Sequence, residues 1–194
     1  MKTKQLKPYL LLWGTQSLST LGSGMTSYAL VLWLYLRSGS ALGTALLSVC
    51  SYAPYVVMSI FAGALSDRWD KKRTMLACDL AAALSTVVVL VLIKTGGLSP
   101  WHLYVLNALN GLMNTIQQPA SEVAATLLIP KEYYQQTSGL RSLAQSMNSI
   151  LTPILATALF TFAGMDLVIA FDLLTFAAAF LTLLLFIRIP PCGG

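Results

Sequence analysis

Six charged residues fall within seven consecutive positions, Asp67, Arg68, Asp70, Lys71, Lys72 and Arg73, and two of the most apolar stretches of the chain flank them. A charge at the centre of a bilayer costs about 2.5–3.5 kcal/mol or more, so charges at this density cannot sit in hydrocarbon. They mark a tight turn where the chain leaves a membrane and re-enters it. Gly63 stands four residues before Asp67. With no side chain there, a neighbouring helix can approach closely just where the chain leaves the bilayer.

Composition supports the same reading. Apolar residues make up 56% of the chain and charged residues 10%, whereas a soluble domain carries about 25% charged residues. The natural unit is then a span of about 20 apolar residues. The expected fold is an all-α membrane protein, a single bundle over 1–194 with spans near 10–36, 42–66, 74–94, 101–128, 138–163 and 167–187. Short connections make consecutive helices antiparallel neighbours. A basic start (Lys2, Lys4, Lys7) before an apolar run is also the pattern of a secretory signal. Here the run continues through Tyr28 to Leu36, too long for one.

Lysine and arginine set the orientation. With the N-terminus in the cytoplasm, ten of them (Lys2, Lys4, Lys7, Arg68, Lys71, Lys72, Arg73, Lys131, Arg141, Arg188) lie on that side and two (Arg37, Lys94) outside. The positive-inside bias therefore puts both termini in the cytoplasm of a multi-pass protein of the cytoplasmic (inner) membrane. The net charge of +5 sits in short turns between apolar runs. This argues for the lipid bilayer as partner and against nucleic acid. Cys50 and Cys78 fall in apolar spans, Cys192 lies near the end, and no Cys pair or cluster forms with the single His102. No metal site and no cofactor are expected.

The 63–73 segment resembles the cytoplasmic loop between the second and third helices of major facilitator superfamily transporters, roughly Gly-x-x-x-Asp-Arg-x-Gly-Arg-Arg. Gly63, Asp67, Arg68, Lys72 and Arg73 fall on that pattern, and Asp70 stands near where the family has a glycine. Internal symmetry fits as well. Asp79-Leu80 opens a long apolar run that ends at Lys94, and Asp172-Leu173 opens another that ends at Arg188. Pro54 and Pro153 lie inside the second and fifth spans. Two such three-helix units have opposite topology, as in the inverted repeats nested within each half of these transporters. The resemblance implies alternating access in secondary transport, with efflux of a small molecule as the expected function and a proton as the expected coupling ion. An enzyme is not expected.

Polar residues inside the spans carry the functional expectation. Asn107, Asn110, Asn114, Gln117 or Gln118, and Ser121 recur every three or four residues on one face of the fourth span. The fifth has Arg141, Gln145, Asn148 or Ser149, and Thr152, and the first has Gln16, Ser19 or Thr20, Ser23 and Ser27. Such faces meet each other, water or a substrate, because lipid cannot satisfy them. Interhelical hydrogen bonding at about 0.6 kcal/mol per pair is the plainer alternative for any single residue. The first and fourth helices line the central cavity in the family. Gln16, Asn107, Asn110, Asn114, Gln117 and Gln145 are therefore the cavity-lining candidates.

Asp79, Glu122 and Arg141 are candidates for a charge relay at the cytoplasmic mouth, joined by Asp67 and Arg73. In the family the loop motif latches the bundle by pairing with an acidic residue low on the fourth helix, a role open to Glu122. Snorkelling to lipid headgroups is the alternative.

Two departures bear on mechanism. Leu103, Asn107, Asn110 and Gly111 match the frame Leu-x-x-x-Arg-x-x-Gln-Gly, with Asn107 replacing the arginine linked to proton coupling. The fifth span keeps Pro153 of the exporter pattern Gly-Pro-x-x-Gly-Gly, with Ala156 and Ala158 as nearby small residues. Gln118-Pro119-Ala120 and Leu128-Ile129-Pro130 resemble drug and siderophore exporters, including macrolide efflux proteins. The resemblance covers nearly the whole chain but only the first six of twelve family helices. The expectation is an N-terminal half, a truncated form or a fragment, completed by a second six-helix half or by self-association. A non-transporting scaffold or pairing subunit is the rival. An intramembrane serine protease is disfavoured because His102 lies at the outer end of its span, and an exporter domain driven by a separate ATPase because the loops are short.

Overall fold

The computed structural model describes residues 3–68 and 70–187, and within them the side chains of 7–54, 56–58, 70–130 and 132–187. These residues form α1 (Thr3–Ser38), α2 (Ala41–Arg68), α3 (Lys71–Lys94), α4 (Pro100–Leu128), a 3-10 turn (Lys131–Tyr133) and α5 (Tyr134–Leu185). The charged turn is short, since α2 runs to Arg68 and α3 begins at Lys71. Asp70 is the N-cap of α3, its carboxylate accepting from the backbone N–H of Arg73 at 2.9 Å. At the other end of the bundle Pro100 starts α4, and Ser99 and His102 form a reciprocal cap. His102 is thus a helix-start residue.

A straight helix of 52 residues would be roughly 78 Å long, against a hydrocarbon core of about 30 Å, so α5 cannot run straight through one bilayer. Gly164 interrupts it, with φ 73 and ψ −171, a conformation that only glycine adopts readily. The first arm, 134–163, runs alongside α1 in the same direction. Asn148 donates to the carbonyl of Ser17, and Thr152 faces Gly24. The second arm, 165–185, returns the opposite way. Asp172 meets Ser23, and Leu183 packs with Leu12. The chain therefore reverses at Gly164.

Two larger apolar clusters fill the bundle, beside a small one of Tyr9, Ala125 and Ile129. One joins Met25, Leu34, Leu47, Val89, Leu103, Val168 and Ile169 toward the Gly164 end. The other joins Leu12, Met75, Ala120, Ala124, Leu183 and Ile187 toward the charged turn. Large side chains also point outward, among them Phe162 at 90% exposure and Leu36 at 72%. Among the described residues three helices, α2, α3 and α5, are long and apolar enough to cross a membrane. The helices α1 and α4 carry the polar stripes, and the same two border the groove described next.

Candidate functional site

A groove of about 280 Å³ lies between α1, α4 and the first arm of α5. From α1 it takes Tyr9, Trp13, Gln16, Ser17 and Thr20, from α4 Ser121, and from α5 Arg141, Gln145 and Asn148. Residues 9, 13, 16 and 20 share one helix face, as do 141, 145 and 148, so two polar stripes converge on one space. The lining combines aromatic rings, amides and hydroxyls, a composition that can hold an amphipathic organic molecule. At its edge Arg141 Nη2 lies 3.5 Å from Glu122 Oε1, both side chains about half exposed.

Asp79 stands apart from that ion pair. It lies about one turn beyond Met75, between the two apolar clusters, and is 7% exposed. Gln16 Nε2 donates to its Oδ2 at 3.2 Å, and Gln117 Nε2 donates to its Oδ1. One carboxylate therefore ties α1, α3 and α4 together. Through Gln16 it also touches the groove. A buried carboxylate left without these donors would be costly, so the two glutamines and the aspartate form one unit.

The α4 stripe does not act as a single lining. Asn107 is buried against α2, where Ser51 Oγ donates to its Oδ1 at 3.0 Å while its Nδ2 donates to the carbonyl of Leu103. Asn110 is half-buried, and its Oδ1 has no hydrogen-bond partner among the described residues. Asn114 is exposed. Gln117 reaches Asp79, and only Ser121, one turn further, lines the groove. Of the six cavity-lining candidates, Gln16 and Gln145 border this groove.

In the charged turn, Lys72 reaches across to the end of α5. Its Nζ donates to the carbonyl oxygens of Leu184 at 3.0 Å and Ile187 at 2.7 Å. An ammonium there satisfies carbonyls that the helix leaves open and complements the negative end of its dipole. Arg73 lies exposed in the first turn of α3. Gly63, Asp67 and Arg68 lie in the last turns of α2, and their side chains are outside the described residues.

The contacts of two residues, Lys72 and Asp172, escaped sequence reasoning. The capping of α5 by Lys72 joins residues 112 and 115 positions apart, for which the sequence carries no signal. Asp172 is 3% exposed and accepts from Ser23 Oγ at 2.9 Å and Thr86 Oγ1 at 3.2 Å, joining α1, α3 and α5. The signal available was its repeat relation to Asp79.

Comparison with known proteins adds the lineage. Residues 12–193 match the Major Facilitator Superfamily. The chain is 28% identical over 189 residues to Macrolide efflux protein A of Streptococcus pyogenes, covering 97% of this chain and 46% of that protein. It is 28% identical over 147 residues to Macrolide efflux protein A of Enterococcus faecalis, covering 76% and 45%. To Multidrug efflux pump Tap of Mycolicibacterium fortuitum it is 32% identical over 111 residues, covering 57% and 27%. The chain thus spans about half the length of the macrolide efflux relatives it matches.

Proposed function

Since the chain belongs to the Major Facilitator Superfamily, a group of multi-pass membrane transporters, we propose that it works as one six-span half of an efflux transporter for macrolide-type or other amphipathic drugs. Both termini face the cytoplasm, and a proton is the coupling ion. The groove between α1, α4 and the first arm of α5 carries this reading. A polar recess with aromatic walls, open on one side of an otherwise apolar bundle, suits half of a central binding site. A second six-helix half, in the same polypeptide or another, covers it and completes the cavity. Alternating access then consists of one bundle rocking against the other around that cavity. In this mechanism Gln16 and Gln145 contact the drug, while Glu122–Arg141 and the 63–73 turn hold the cytoplasmic side closed until the bundles rock.

The test is macrolide flux in inverted membrane vesicles. Vesicles holding the chain together with a second half should accumulate a radiolabelled macrolide, and a protonophore should abolish the accumulation. Vesicles holding the chain alone should not accumulate it. Accumulation that is indifferent to the protonophore would overturn the proton coupling, and none with both halves present would overturn the transport reading.

A further inference from the structure

We propose that Asp172 is a proton-binding site, its proton shared with the hydroxyl of Thr26 and delivered from the groove side through Ser23. The proposal deepens the transport reading by locating the coupling ion, and it rests on that reading for the use made of the proton, not for its binding.

The two repeat-related aspartates sit in opposite chemical settings. Both oxygens of Asp79 accept from amide N–H groups, which donate and cannot accept. A proton added to Asp79 would find no acceptor among those two donors. Asp172 is surrounded by hydroxyls instead, and a hydroxyl donates or accepts as required. Ser23 donates to one of its oxygens, and Thr86 to the other, sharing its proton with the Ala82 carbonyl at the same 3.2 Å. The hydroxyl of Thr26 is buried close to the same carboxyl group, within reach of it, yet completes no hydrogen bond among the described residues. A buried hydroxyl without a partner is uncommon and calls for one. A protonated Asp172 supplies it, because the new O–H can donate to the Thr26 oxygen while Ser23 and Thr86 keep their bonds.

The surroundings favour a proton over a larger cation. A Cβ on Gly22 would run into Thr175 Oγ1 and the backbone and carboxylate of Asp172. The carboxyl group is packed tightly against α1, and among the described residues no group of three or more His, Cys, Asp or Glu side chains gathers to hold a metal ion. Among the described residues no charged group faces the carboxyl. From α1 come Ser23 and Thr26 and from α3 Thr86. Asp79 lies about two turns away along α3. On α5 itself, Asp166 is paired with Lys94.

Access runs through Ser23. It is exposed, and it continues the α1 face of Gln16 and Thr20, which line the groove. Ser23 passes its hydroxyl proton to Oδ1 of Asp172 and takes a replacement from the solvent side. Asp172 gains one proton, and Ser23 ends unchanged.

Infrared difference spectroscopy on the full chain in lipid nanodiscs, over a pH series, tests this directly. The expected result is a protonated-carboxyl band that titrates in the unmodified chain and in Asp79→Asn and is lost in Asp172→Asn. Thr26→Val should displace the band, and Thr26→Ser should restore it. A band that survives Asp172→Asn, or that disappears in Asp79→Asn instead, would overturn the proposal. If Asp172→Asn fails to insert, the Thr26 pair decides, and a band unmoved by Thr26→Val is equally contrary. A titrating band without macrolide flux would leave this site standing and refute transport. Flux without the band would do the reverse.

Discussion

At Gly111 the carbonyl oxygen of Ser51 occupies the space a side chain would fill. The obstacle is backbone and cannot rotate away, so α2 and α4 are held at a separation that only glycine permits. Gly111→Ala should destabilise the bundle by about 1–3 kcal/mol, read as a lower unfolding midpoint in a detergent titration. Gly14→Ala is the control, since nothing among the described residues lies within 4 Å of the added carbon, and it should not lower the midpoint, alanine being the better helix former. An unmoved midpoint for both would remove close α2–α4 packing from the account. Asn107 belongs to the same interface. The sequence made it legible as a polar residue inside an apolar helix. It did not reveal Ser51 as the partner, because the two are 56 residues apart and nothing local couples them. The same holds for Asp79, whose polarity was visible while Gln16 and Gln117 became its partners only through helix packing.

The reversal at Gly164 governs the elements. Residues 134–163 and 165–185 form two helical arms joined at a single glycine, and the arms lie against α1 in opposite directions. Reporter fusions after Gly97 and Gly164 should therefore report the outside of the cell, and a fusion after Ile187 the cytoplasm. An outside signal after Ile187 would contradict the reversal. The charged turn and the apolar lengths made the membrane class legible, because charge and hydrophobic length act locally on the bilayer. How the polar faces pair depends on helix rotation, which periodicity alone does not set. That is why the α4 stripe of 107, 110, 114, 117 and 121 divides among α2, α3 and the groove. Lys72 at the end of α5 is a further contact of this long-range kind, tying the charged turn to the last carbonyls of the bundle.

At the scale of the whole molecule, two kinds of outer surface face two kinds of surroundings. Phe162, Leu174 and Leu185 present large apolar side chains suited to lipid. The groove presents Gln145, Asn148 and Arg141, which lipid would leave unsatisfied. In the proposed transporter a second bundle covers that recess. Ala144 lines the groove, whereas Leu174 is 69% exposed on the outer face. The direct measurement is macrolide flux in vesicles holding both halves, comparing Ala144→Trp with Leu174→Trp at equal membrane insertion. A tryptophan at 144 fills the groove and should abolish flux, while one at 174 meets lipid and should leave it intact. Equal flux from the two variants would show that the groove is not where the drug binds.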